Sequence, residues 1–498
     1  MHNSFVNALE KNLNYTRTEN FGLAHRHTDS KVLELFGLGA AYRSRSDDDC
    51  ILLFKSAYEE DPDLAMKCLF YIRNIRGGQG ERRFFRVCFR WLCDHYPQSA
   101  IKNFDNVVRL GRWDDLIYSA EGTQVESEML KFVGKQLIRD LNCSTPSLLG
   151  KWCPSITASS RETRRVARKI VNAFGVTEKQ YRQALSLLRS RINIVEKLMS
   201  ENKWDEISFD GIPSKAGLKY SHAFQTRDET RERYAEFINS KKTKVNAAAL
   251  YPYEVVNKAI HVPGNDKTAR NVVDKYWDNL PDYFDGTSSN MLCVVDTSGS
   301  MMGAPINVAI SLGMYCAEHL NGPFHNKYIS FASRPQLIDI EGVDFVDKVK
   351  RIYRTNLCDN TNLEAVFDLL LDTIVEKNIP KEDIPHTICV ISDMEIDMAT
   401  SEFGLYYWET MRKSWTKDSA VTEMEKIRNK WAAAGVELPK LVYWNVNARH
   451  NLFLDSGDAV SFVSGASPVL FKSVLTQKSG YELMMEVLNG ADYADIKA

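Results

Sequence analysis

The sequence predicts two domains of different class, an α-helical solenoid followed by a doubly wound α/β domain. Three observations predict it. The chain has 498 residues, more than one hydrophobic core usually organises. Apolar residues recur at three and four positions from about 31 to 250, whereas after about 285 short β-rich runs alternate with amphipathic helical segments. Charge divides at nearly the same place, with 44 Lys+Arg against 37 Asp+Glu in residues 1 to 290 and 19 against 28 in residues 291 to 498. The formal net charge of -2 is therefore a cancellation between a basic half and an acidic half. With 44% hydrophobic and 26% charged residues the composition is globular, which excludes collagen-like, coiled-coil and largely disordered classes.

Residues 1–30, rich in Asn and Thr and without a clear period, are expected to form an arm. From 31 to 250 runs such as KVLELFGLGAAYR, DLAMKCLFYIRNIR, ERRFFRVCFRWLCDHY and EKQYRQALSLLRSRINIVEKLM each carry one apolar stripe. Breakers at Asp61-Pro62, Gly77-Gly78, Pro97, Gly111 and Gly175 leave loops of the length that joins stacked antiparallel helices. Residues 251–287, with Pro252, Pro263, Gly264 and Pro281, read as a linker. From 288 to 490 the runs LCVVDTS, KYISFAS, HTICVIS, KLVYWNV and AVSFVS alternate with helical segments, the signature of a mostly parallel sheet covered on both faces. The ten cysteines are scattered, mostly through apolar runs without a CxxC pair, as expected of buried thiols in a reducing compartment. The N-terminus has no signal-peptide h-region and no apolar stretch reaches membrane-spanning length, so a cytoplasmic location is expected.

The sharpest local signal is VVDTSGSMMG, residues 294–303. A buried strand ends in Asp296, and Ser298 and Ser300 follow at alternate positions before a helix beginning near Pro305. In an extended loop such positions project one carboxylate and two hydroxyls towards one point, an all-oxygen set suited to a hard divalent cation. Two further loops are candidates to complete it, with Thr361 opening a helix and Asp393 directly following the strand CVIS. The pentapeptide alone would equally serve as a helix N-cap without metal. No GxSxG elbow and no P-loop is present. Glu395 and Asp397 add carboxylates nearby, which leaves a metal-dependent nuclease or phosphatase as a weaker reading.

The first half offers charge in place of catalytic groups. Arg73, Arg76, Arg82, Arg83, Arg86 and Arg90 surround a glycine loop, and Arg161, Arg164, Arg165, Arg168 and Lys169 follow in a second cluster. Between 161 and 191 there are nine basic and two acidic residues, a density that can track a phosphate backbone. Without a DNA-reading motif, the expected nucleic acid is RNA.

The set Asp296, Ser298, Ser300, Thr361 and Asp393 resembles the metal-ion-dependent adhesion site of von Willebrand factor A domains in order and approximate spacing. The resemblance implies Mg²⁺ or Mn²⁺ held with an open position for an acidic ligand. YIRNIRGGQGERRFFR, LGRWDDLI, KWCPSI and ISDMEID are similar to two-part proteins of a domain-of-unknown-function family related to the TROVE module of Ro autoantigens. That resemblance spans about 30 to 490 and implies HEAT-like repeats, closed into a ring in Ro proteins, followed by a von Willebrand factor A domain. It further implies small structured RNAs on the outer surface and single-stranded RNA ends in the ring. In place of the usual glycine-containing lead-in to the metal-site threonine stands Cys358-Asp359-Asn360, a departure that adds a carboxylate. The resulting expectation is a noncatalytic RNA-binding protein with a Mg²⁺-binding domain, a scaffold or RNA quality-control and ribonucleoprotein factor. The alternative is a protein-interaction scaffold whose metal site grips an acidic residue of a partner, without RNA.

Overall fold

The computed structural model describes residues 14–17, 23–192, 194–284, 290–331, 335–355, 362–395, 422–454, 460–475 and 478–498. Helices of eight residues or more are numbered along the chain. The fold class is the one the sequence predicts, but the chain crosses between two compact units several times. One unit combines 1–46, 251–264 and 280–489, and the other 47–250, 265–279 and 490–498. Of the boundaries read from the sequence, 250 coincides with a crossing between the units and 490 falls within one residue of another, whereas 30 and 287 match none.

The α/β unit begins with a small hairpin, β1 (Tyr15–Arg17) and β2 (Leu23–His25), and helix α1 (Lys31–Leu38). Ser30 caps α1 by accepting the Leu33 N–H. The stretch predicted as an arm is in part ordered, because His25 and Phe453 exchange two backbone hydrogen bonds at 2.8 and 2.9 Å. Helix α1, predicted as the first of the solenoid, instead lies on the sheet of this unit. Gly37 meets the Cβ of Phe462 so closely that a Cβ added there would sit 3.0 Å from it.

The helical unit contains α2 (Asp47–Glu60), α3 (Pro62–Arg73), α4 (Arg82–His95), α5 (Trp113–Ala120), α6 (Glu126–Asn142), α7 (Arg161–Ala173), α8 (Glu178–Ile192), α9 (Ser214–Thr226) and α10 (Asp228–Asn239). The local reasons are plain in α3, where Asp61 caps the Leu64 N–H at 2.9 Å and Pro62 occupies the first turn. Helix α4 buries Phe84, Phe85, Cys88, Phe89, Leu92 and Cys93 on one side, with Phe85 against Phe70 of α3 at 5.3 Å between centroids. Its arginines occupy the other face. The final residues 490–498 also belong here, since Asn74 donates to Asp492 and Tyr493, and the Ala498 N–H to Asp63.

The stretch predicted as a linker holds two helices. Helix α11 (Pro252–Ile260) starts at a capping box of Tyr251 and Glu254 and packs on α13 (Ala304–His319) of the α/β unit. Helix α12 (Lys267–Asp278), capped by Asp266, packs on α9 and α10 of the helical unit.

The main sheet comprises β3 (Met291–Asp296), β4 (Lys327–Phe331), β5 (Gln336–Asp339), β6 (Thr387–Ser392), β7 (Lys440–Asn445) and β8 (Val460–Ser464), in the order β5-β4-β3-β6-β7-β8. Every pairing is parallel except β4 with β5. Every residue of β3 and β6 is buried, as central strands require. Helix α13 approaches β3 so closely that a Cβ on Gly313 would lie 2.4 Å from Val295 Cγ2, so glycine is needed there. Helices α14 (Phe345–Thr355), α15 (Leu363–Lys377), α16 (Glu423–Ala433) and α17 (Gly480–Leu488) complete the cover. Strand order runs outwards in one direction from β3 and in the other from β6. The carboxyl ends of these two neighbours are thus the topological switch point, where doubly wound sheets bind ligands.

Nine cysteines among the described residues are free, and all but Cys143 are buried. No helix among the described residues is long and apolar enough to cross a membrane.

Candidate functional site

Asp296 ends β3 and Asp393 follows β6, which places both carboxylates at the switch point. Asp296 is fully buried and Asp393 is 1% exposed. The Ser298 N–H donates to Asp296 Oδ1 at 2.9 Å, and the Ser392 hydroxyl donates to Asp296 Oδ2. Ser298 and Ser300 have their hydroxyl oxygens 3.1 Å apart, and Ser300 donates to Asp393 Oδ1 at 3.4 Å. The loop is not extended as the sequence reading assumed, because residues 299–301 form a turn of 3-10 helix. The two hydroxyls converge nonetheless. Two residues take positive φ to shape the rim, Gly303 at 95° and Met394 at 67°. Of the predicted metal residues, Asp296, Ser298, Ser300 and Asp393 come together; Thr361, like Asp397 and the 358–360 lead-in, lies outside the described residues.

Burial dominates the electrostatics. Desolvation raises the Asp296 carboxyl above its ordinary value, against the hydrogen bonds from Ser298 and Ser392. Desolvation, reinforced by the charge of Asp296, pushes Asp393 up to about 7. Asp393 Oδ2 is a buried oxygen without a hydrogen-bond donor. Two buried carboxylates side by side, one with an orphaned oxygen, together with two hydroxyls, fit a hard divalent cation. Among the described residues no group of three or more His, Cys, Asp and Glu side chains is placed to share a metal, so the hydroxyls are essential to the donor set.

Three residues escaped the sequence reading. Ser392 anchors Asp296. His450 places Nδ1 2.7 Å from Glu395 Oε1, a carboxylate with no exposure, so Glu395 is already engaged. Arg449 donates to the Ser300 carbonyl, and its Nε lies 3.8 Å from Asp393 Oδ2. Arg449 and His450 follow β7 at the same edge of the sheet, which is the signal that could have found them.

The basic residues of the helical unit divide into two groups. Arg73 is 3% exposed and donates to Asp115 at 2.9 and 2.6 Å, so it is a buried structural partner and not an RNA contact. Gly111 belongs to that network, for a Cβ there would stand 2.9 Å from Asp115 Oδ2. Arg83 pairs with Asp47, Arg168 with Glu178, Arg165 and Lys169 with Glu121, and Lys169 also with Glu126. Arg164 donates to the carbonyls of Ala158 and Ser159 at 2.6 and 2.7 Å. Arg76, Arg82 and Arg161 are exposed and have no ion pair among the described residues. Lys179 and Arg182 on α8 are exposed as well.

The fold and site define a chain of two units, one of stacked helices and one a doubly wound α/β sheet with two buried carboxylates and two hydroxyls gathered at its switch point. Residues 18–117 and 127–286 match the family model described as Domain of unknown function (DUF2828), and residues 290–494 match Domain of unknown function (DUF7788). The chain belongs to the DUF2828 family. It is similar to an uncharacterized protein of Acanthamoeba polyphaga mimivirus, 28% identical over 507 residues covering 93% of this chain and 85% of the relative. Among solved structures it is similar to the Deinococcus radiodurans RO (RSR) protein, at 12% identity and a TM-score of 0.47, covering 93% of this chain and 99% of that one.

Proposed function

We propose that this protein is a noncatalytic, RNA-binding scaffold of the ribonucleoprotein or RNA quality-control kind, with a cation held in its α/β unit. The observation that carries the cation reading is the pair Asp296 and Asp393, buried side by side with an orphaned carboxylate oxygen. Asp296, Ser298, Ser300 and Asp393 would hold Mg²⁺ or Mn²⁺. Bound there, the ion supplies an electrophilic centre for an oxygen ligand. Ser392 fixes Asp296, and the loop after β7 borders the site.

The RNA reading is supported by the exposed Arg76, Arg82, Arg161, Lys179 and Arg182 and by the sequence resemblance to TROVE-related proteins. Phosphate contacts release counterions, so binding to RNA should weaken steeply with salt. Purification in low salt tests it: copurified nucleic acid and salt-sensitive retention of a structured RNA are expected, and clean protein with neither would refute it. For the cation, thermal unfolding with Mn²⁺ should show stabilisation in the wild type and none in Asp296→Ala.

One observation favours the second reading, a protein-interaction scaffold without RNA. Of the eleven cluster residues named from the sequence, six, Arg73, Arg83, Arg86, Arg165, Arg168 and Lys169, are engaged in ion pairs within the chain. A protein partner captured by the wild type and lost in Asp296→Ala, with no RNA bound, would decide for it.

A further inference from the structure

In the helical unit, α6 ends in an apolar patch set among cations. Ile138 is 64% exposed, Leu148 50% and Leu187 44%. Apolar side chains scattered singly over a surface are ordinary, but these three are tied to one spot. Arg191, one turn beyond Leu187 on α8, donates to the carbonyls of Leu141 and Cys143, just past Ile138, at 2.8 and 3.4 Å. Ser147, the neighbour of Leu148, donates its N–H and its hydroxyl to Asp140 at 3.1 and 2.6 Å. Lys135 and Arg139 share a face of α6 with Ile138; both are exposed and have no ion pair among the described residues.

In the α/β unit, α15 carries the opposite pattern. Glu364, Asp368, Asp372 and Glu376 recur at every fourth position, which sets them in a row along the helix. Lys430 of α16 pairs with the first two. Asp372 and Glu376 are exposed and have no ion pair among the described residues. Beside them Leu369 and Val375 are 38% and 50% exposed. Each of the two faces therefore joins aliphatic surface to charge that the chain does not neutralise, and the signs are opposite.

We propose that the two faces dock between copies of this chain: α15 of one molecule lies on the patch around the end of α6 of the next. Charge complementarity selects this occupant. Lys135 and Arg139 meet Asp372 and Glu376, while Ile138, Leu148 and Leu187 cover Leu369 and Val375. The basic and acidic halves of the sequence steer encounter in the same sense. An aliphatic centre suits a protein surface better than RNA, whose bases stack on aromatic rings. Because the two faces differ, the contact is heterologous, so molecules add head to tail and assembly continues past the dimer unless the rotation between neighbours closes a ring. The contact depends on neither the cation nor RNA.

Sedimentation velocity of the full chain at rising concentration tests it. The contact is small, so association is expected at about 0.1 mM protein in low salt, and its loss in high salt, which screens exposed charges. Two variants reverse one face each: Lys135→Glu with Arg139→Glu, and Asp372→Lys with Glu376→Lys. Either alone presents like charges on both faces and should need roughly tenfold more protein to associate. Mixed in equal amounts, every patch again meets a helix of opposite charge, and association should return to the wild-type level. All four side chains are exposed, so melting temperatures should stay near that of the wild type. A wild type that remains monomeric in low salt overturns the proposal, as does undiminished association in either variant or a mixture no better than its parts. So does a patch variant that loses RNA retention and keeps its association, because the cations of α6 would then serve nucleic acid.

Discussion

Ser300 donates its hydroxyl to one oxygen of Asp393 at 3.4 Å, while the other oxygen of that carboxylate is buried without a hydrogen-bond donor. The hydrogen bond ties the loop after β3 to the loop after β6 across the switch point. It also leaves the site incomplete as a purely structural arrangement. A buried carboxylate beside a second one is costly, and a cation would offset that cost.

Asp393→Asn should therefore move stability in opposite directions with and without metal. In the presence of a chelator the variant is expected to be more stable than wild type by about 1 kcal/mol, since one of two adjacent buried charges is gone. With Mn²⁺ in excess it should be less stable than wild type, which alone gains the free energy of binding the ion. Unfolding in denaturant under both conditions is the measurement, and a loss of stability in chelator would show that the charge is compensated by the fold alone.

Glu121 supplies a pH-dependent prediction in the helical unit. Hydrogen bonds from Arg165, at 2.6 and 3.1 Å, and from Lys169 lower its carboxyl from 4.5 to about 2 despite partial burial. A depressed folded-state pKa stabilises above the unfolded value and is lost as pH falls from about 4.5 through about 2. Because the partners are partly exposed and screened, Glu121→Gln should cost about 1 kcal/mol at neutral pH. The difference from wild type should shrink towards zero near the acid end of that window; a constant difference would place the effect in packing.

Gly37 tests the assignment of α1 to the α/β unit. A valine there would drive its Cβ into Phe462 of β8, 3.0 Å away. Gly37→Val should destabilise that unit by about 1–3 kcal/mol, the usual cost of overpacking. Hydrogen exchange should locate the loss in β7 and β8, and protection lost only in the helical unit would return α1 to the solenoid.

The arginines should separate by burial. Arg73→Ala leaves Asp115 short of a buried partner and is expected to cost about 3–5 kcal/mol whatever its effect on RNA. Arg161→Glu with Arg182→Glu should leave stability nearly unchanged and weaken RNA retention most at low salt. The slope of log affinity against log salt should fall by about 0.7 for each phosphate of a single strand that the variant no longer neutralises. An unchanged slope would remove α7 and α8 from the binding surface.

What could be read in advance follows from which signals are local. The runs CVVD and CVIS announced buried strands because parallel central strands are apolar on both faces, and Asp296 and Asp393 were located by ending them. Helix α1 was found but placed in the wrong unit, since an apolar stripe says that a face is covered and not by what. Pro252 read as a breaker although proline in a first turn starts a helix, which turned α11 into part of a linker. Arg73 read as a free cation because its partner, Asp115, is 42 residues away in sequence. Arg449 and His450 lie in no motif, and their meaning depends on the sheet having placed β7 beside β6.

The position of α1 on β8 has a consequence for synthesis. Ser464 donates to the carbonyl of Phe36, a hydrogen bond that spans 428 residues. At about 5–20 residues per second, a ribosome delivers β8 roughly 20 to 85 seconds after α1 has emerged. Through that interval the apolar face of α1 lacks its own sheet, while the helices from 47 onwards can already fold. The nascent chain must keep that helix from finding another apolar partner first, so chaperone dependence during translation is expected to centre on α1.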